Sequence, residues 1–134
     1  MNAALENPLR MAIKNYIHHC YPHLGILPDV KILSRDEFES LSSFYTHDAS
    51  YDGLENTIFF KELATPSVIC REVHHWSQCQ KMGYGAYARL MRDASSKYLL
   101  QKEAVIAATE AVYRHNRFTR SFRLFDNQII EIFK

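Results

Sequence analysis

The stretch Pro66–Met82, PSVICREVHHWSQCQKM, decides how the rest of the chain is read. Thr65 offers a capping hydroxyl, and Pro66 sits at a first helical position where its missing N–H costs nothing. Val68, Ile69, Val73, Trp76 and Cys79 recur at mostly helical spacing, so one face of this helix is expected to be buried. Arg71, Glu72 and His75 lie on another face, with His74 and Gln78 beside them. Arg71 and His75 are four apart and therefore neighbours along the helix surface. Gly83 and Gly85 supply the stop.

Upstream, Asn7-Pro8 is expected to open a helix running to about Cys20, with Leu9, Ile13, Tyr16, Ile17 and Cys20 on its apolar face. His18, His19 and His23 crowd its end. They suit the negative end of a helix dipole, or with Cys20 they begin a metal cluster. Breaks follow at Tyr21–Gly25 and at Pro28-Asp29. Val30–Leu33 then reads as a strand. Ser34 and Glu37 form a capping box ahead of a short helix with Phe38, Leu41 and Phe44 as its buried stripe. A polar and aromatic run, Tyr45–Tyr51, closes on the turn dipeptide Asp52-Gly53, and Thr57–Phe60 is a second strand.

Downstream, Tyr84, Tyr87, Leu90 and Met91 suggest a short amphipathic piece. Lys97–Asn116 is expected to be a long, alanine-rich helix that another helix can approach closely. Glu103 and Glu110, seven apart on it, share a face. The tract from Arg117 to Phe125 is basic and aromatic, and Asp126 is placed to cap a last helix through Ile129, Ile130, Ile132 and Phe133.

With 134 residues, 47% hydrophobic and 13% aromatic, the chain is expected to fold as one domain over residues 1–134. No apolar run approaches the roughly 18–20 residues of a membrane span, and the N-terminus lacks a signal-peptide layout. A soluble, cytoplasmic protein without a membrane partner is therefore expected. Cys20, Cys70 and Cys79 form no C-x-x-C pair and fit free thiols in a reducing compartment. The net charge of +1 hides an asymmetry. Residues 1–70 hold five Lys/Arg against nine Asp/Glu, a net of −4, and residues 71–134 hold eleven against six, a net of +5.

The order of these elements resembles a small zincin, the H-E-x-x-H metallopeptidase superfamily, in which two helical histidines hold zinc and the glutamate activates a water. The resemblance rests on "YDGLENTIFF" at Tyr51–Phe60, which is similar to the family's edge strand. It rests also on Arg71-Glu72-Val73-His74-His75-Trp76-Ser77-Gln78 and on Glu103-Ala104 in the later helix, and it covers about residues 30–115. Residues 116–134 form a basic, aromatic extension. The implied fold is α+β, a minimal zincin-like domain of several helices on a short, mainly antiparallel sheet. The implied roles are Glu72 as catalytic general base, His75 and Glu103 as metal ligands, and His74 and Glu110 as alternative ligands. His47 is a further candidate. Arg71 stands where the first ligand belongs, and a guanidinium has no lone pair to give a metal. Either no cofactor or zinc is thus expected, and in the metal-free case Arg71 replaces the metal's charge by pairing with Glu103 or Glu110.

The leading expectation for function is a zincin-like protein with a degenerate metal site, a pseudoenzyme that binds a macromolecular partner. An intracellular inhibitor or adaptor, of the kind a phage or mobile element encodes, fits its size. One alternative is an active metal-dependent peptidase using Glu72. Another is a nucleic-acid-binding module using Arg114, Arg117, Arg120 and Arg123, interleaved with Phe118, Phe122 and Phe125 for base stacking. The single E-x-x-H unit of Glu72 and His75, used in duplicate by di-iron bundles, and a Cys70–His74 dyad are weaker readings of the same helix.

Overall fold

The computed structural model describes residues 3–41, 49–61, 64–120 and 122. Along them run α1 (Ala3–Cys20), β1 (Asp29–Ile32), α2 (Arg35–Leu41), β2 (Ala49–Asp52), β3 (Thr57–Phe60), α3 (Pro66–Met82), α4 (Tyr84–Arg92) and α5 (Ala94–Arg114). Residues 116–120 are helical again. The fold is α+β, helices packed on a small sheet.

The strand order is β1-β3-β2. The turn after Asp52 makes β2 and β3 an antiparallel hairpin, and β1 joins β3 in parallel from Asp29↔Thr57 to Ile32↔Phe60, so the sheet is mixed. Strand alternation turns Val30, Ile32, Ala49, Tyr51, Ile58 and Phe60 into the core. There they meet Leu9, Ile13, Tyr16 and Ile17 of α1 and Ile69, Val73 and Trp76 of α3. On the far side of α3, the buried Ala104, Ala108 and Ala111 let α5 lie close against it.

Helix side chains deal with both sheet edges. Ile32 donates its N–H to Glu6 Oε1 (3.0 Å), and Val30 O accepts from Arg10 Nη2 (2.8 Å) along the outer side of β1. In the central strand, Asn56 just before β3 and Phe60 within it turn their carbonyls to β1, accepting from Asp29 and Leu33. By ladder alternation the amide of Tyr51, opposite Ile58, then faces away from β3. That amide meets the carboxylate of Glu72 on α3.

Local signals account for most boundaries. Thr65 Oγ1 accepts from Val68 N–H (3.3 Å), α3 has the expected bounds, and Gly83 ends it at φ 87° with its N–H on Cys79 O. The Ser34/Glu37 capping box forms reciprocally at 3.2 Å in both directions. Three elements differ from expectation. α1 begins at Ala3 and carries Pro8 inside it. β2 lies partly in the run read as loop. α5 begins at Ala94, because the Asp93 carboxylate accepts from both the Ser96 N–H (3.0 Å) and its hydroxyl (2.7 Å). Phe44, His47, Arg123, Phe125 and the helix expected after Asp126 lie outside the described residues.

Candidate functional site

The polar face of α3 is buried: Glu72, His74, His75, Ser77 and Gln78 are all shielded from solvent. Arg71 Nε and Nη2 both reach Glu72 Oε1 at 3.2 Å. Burial pushes the Glu72 carboxyl up to about 7, against the pull of Arg71 and the Tyr51 amide. The expected pairing of Arg71 with Glu103 or Glu110 does not occur. Gln78 meets Leu100 and His74 meets Glu103, so α3 and α5 run antiparallel, and Arg71 falls level with the stretch around Ala107, between the two glutamates. Glu110 is exposed and is not drawn into the network.

His74 is the residue that reaches Glu103. Its Nε2 lies 2.6 Å from Glu103 Oε1 and its Nδ1 2.8 Å from the Tyr21 hydroxyl. The hydrogen bond from His74 holds the Glu103 carboxyl below the usual carboxylate range. Gln78 donates from Nε2 to Leu100 O (2.9 Å) and toward Glu103 Oε1 (3.4 Å). Its Oε1 therefore accepts, and His75 Nδ1, 2.8 Å away, carries the hydrogen. Desolvation holds the His75 ring down to about 4, so it is neutral at physiological pH.

These residues do not fit a three-ligand zinc centre. The His75 tautomer leaves Nε2 with a lone pair, but Glu103 is held by His74 and Gln78, and Glu72 by Arg71 and the β2 edge. Among the described residues, the group whose donor atoms converge within 4.8 Å is elsewhere: His19, Cys20 and His115. The clustered histidines expected at the end of α1 thus contribute His19, while the third donor comes from 96 residues further along the chain. No sequence spacing signals such a pairing.

A cavity of about 460 Å³ opens between β2, β3 and α4, lined by Tyr51, Phe59, Tyr84, Tyr87 and Met91 among others. Arg71, Glu72, His74, His75 and Glu103 are absent from its walls. Arg114, Arg117 and Arg120 are exposed, but two of the aromatic residues interleaved with them, Phe118 and Phe122, turn inward. Phe118 stacks on His19 (centroids 4.1 Å apart, 21°), and Phe122 is wholly buried against Tyr16 (5.6 Å). Cys20, Cys70 and Cys79 are free thiols, and burial pushes Cys70 up to about 12, an inert group at neutral pH. Among the described residues no helix is long and apolar enough to cross a membrane.

Comparison of the chain with protein families, with characterised proteins and with solved structures yields no match. Every buried side-chain nitrogen and oxygen among the described residues has a hydrogen-bond partner, which is the condition of a structural network.

Proposed function

We propose that this protein works by binding another protein, on a zincin-like scaffold whose central polar site serves structure and not peptide hydrolysis. The outer face of α5 carries the proposal. Tyr98 and Leu99 (each 62% exposed), Val105, Ile106 and Tyr113 (88% exposed) stand in solvent. Leu99, Ile106 and Tyr113 are seven apart, as are Tyr98 and Val105, so they form one stripe about 22 Å long. The opposite face of α5 is already buried through its alanines, so the helix is apolar on two sides. Such a stripe, aromatic at both ends, matches an apolar face of a partner helix laid along it. An inhibitor or adaptor role follows from binding without turnover.

The Arg71–Glu72 pair supports the second half of the proposal. A general base must be accessible to water and to substrate. Glu72 is buried against a guanidinium and a strand amide.

The test places a photo-crosslinking residue at position 106 and compares it with one at Glu55, an exposed site on the hairpin turn. The expected result is a discrete crosslinked partner from position 106 only, lost in Leu99→Glu and Tyr113→Glu variants that melt like the parent and unaffected by chelator. A crosslink to a second copy of this chain alone, vesicle binding through the same stripe, or peptide hydrolysis abolished by Glu72→Gln would each overturn it.

A further inference from the structure

The first helix, α1, and the long helix α5 finish beside each other. His19 and Cys20 are the last residues of α1, and His115 is the C-terminal cap of α5. His19 Nε2 lies 3.2 Å from His115 Nδ1, and Cys20 Sγ completes a set of three donor atoms all within 4.8 Å of one another. We propose that His19, Cys20 and His115 form a binding site for a borderline transition-metal ion, zinc above all, with a fourth position left to water.

The distances suit the ion. With Zn–N near 2.1 Å and Zn–S near 2.3 Å, a tetrahedral centre has N···N edges of about 3.4 Å and N···S edges of about 3.6 Å. The two imidazole nitrogens already stand close to that edge length. Without an ion one of them must carry a proton to bridge the other's lone pair, and a metal would take that proton's place. Two imidazoles and one thiolate are the donor set that zinc and copper prefer over magnesium or calcium.

The surroundings hold the donors in place. The His19 ring stacks on Phe118 and meets the His115 ring edge-on, with centroids 5.0 Å apart at 77°. Cys20 is half-buried on the core side, and because a thiol ligates as the thiolate, the ion displaces its proton and binding weakens as pH falls. The C-termini of α1 and α5 converge here, and the negative ends of their dipoles favour a cation, while the His115 carbonyl is taken by the N–H groups of Phe118 and Thr119. Arg114 and Arg117 stand nearby in sequence. Arg117 lies over the Phe118 ring, 5.9 Å from its centroid. Because His19 and His115 are 96 residues apart, an ion here ties the end of α1 to the end of α5.

The site is separate from the α3 network, and the test keeps the two apart. The reduced full-length chain is titrated with Co²⁺ and then with Zn²⁺. One equivalent of Co²⁺ should bind, give a thiolate-to-metal charge-transfer band and be displaced by Zn²⁺. Cys20→Ser should abolish the band, and His115→Ala should weaken binding by at least about 100-fold, since loss of even an outer-shell partner costs 10–100-fold. His115→Gln, which keeps the bulk of the side chain, must show the same loss if the alanine variant fails to fold. His75→Ala and Glu103→Gln should leave binding unchanged. Absence of binding overturns the proposal, as does a band that survives Cys20→Ser. Metal lost in His75→Ala but kept in Cys20→Ser overturns it and the binding-protein proposal together, whereas loss of metal confined to the three ligand variants leaves the latter intact.

Discussion

The polar face of α3 and the junction of α1 with α5 both gather histidines, yet they differ in what surrounds them. On α3, His74 lies between a tyrosine hydroxyl and a carboxylate, and His75 is held by Gln78 inside the protein. At the junction, His19 and His115 meet each other and a thiol at the protein's rim. In the first cluster His74 is hydrogen-bonded at both ring nitrogens and His75 at Nδ1, which takes up most of its donors and acceptors. Partial exposure and converging lone pairs leave the second able to take a ligand. Residue type points to both clusters, and partner geometry separates them.

The sharpest way to break this contrast is to open the α3 network. Arg71→Ala leaves the buried Glu72 without its counter-charge and should destabilise the protein by about 3 kcal/mol at pH 8, where that carboxylate would be ionised. The loss should shrink at pH 5, where Glu72 is protonated. Chemical denaturation at the two pH values measures the difference, and equal losses at both would contradict it.

Titration gives the next effect. Glu72 is raised to about 7 from an ordinary 4.5, so between those values the folded protein keeps a proton that the unfolded chain has released, and stability falls as pH rises. His75 is lowered to about 4 from 6.5, so the unfolded chain binds a proton that the folded ring refuses, and stability falls as pH drops through that range. The two slopes, each at most about 1.4 kcal/mol per pH unit, oppose one another where they overlap. Glu72→Gln should expose a stability that rises from pH 4 to 6.5, and His75→Gln one that falls from pH 4.5 to 7. Melting curves across this range that stay parallel to the parent's in both variants would show that neither group is perturbed.

A smaller effect belongs to Tyr21→Phe. It removes the hydroxyl from His74 Nδ1 and should cost about 1 kcal/mol. The smallest expected change lies at the other cluster. In metal-free protein, Cys20→Ser should shift stability by less than about 0.5 kcal/mol, as polar substitutions near the surface do. Added Zn²⁺ should then raise the melting temperature of the parent and not of the variant.

Much of the fold could be read along the chain because its signals are local. Thr65, Pro66 and Gly83 bracket α3, Ser34 and Glu37 start α2, and the apolar TIFF run makes the central strand. The start of α5 was also encoded locally, in Asp93 and Ser96. β2 was harder to see, because Ala49–Asp52 is short and mixed and becomes a strand by pairing with β3.

Sequence by itself therefore determined the bounds of α3, the capped start of α2, the hairpin turn and the existence of a polar face on α3, each fixed by contacts between residues a few positions apart. Tertiary structure alone decided which partner each polar group received. His74 and not His75 meets Glu103, and Arg71 pairs with its neighbour, because the alanine-lined packing of α5 against α3 sets their antiparallel register. The meeting of His19 and Cys20 with His115 depends on where two whole helices end in space, a sum of packing choices over the entire core that no short window of sequence contains.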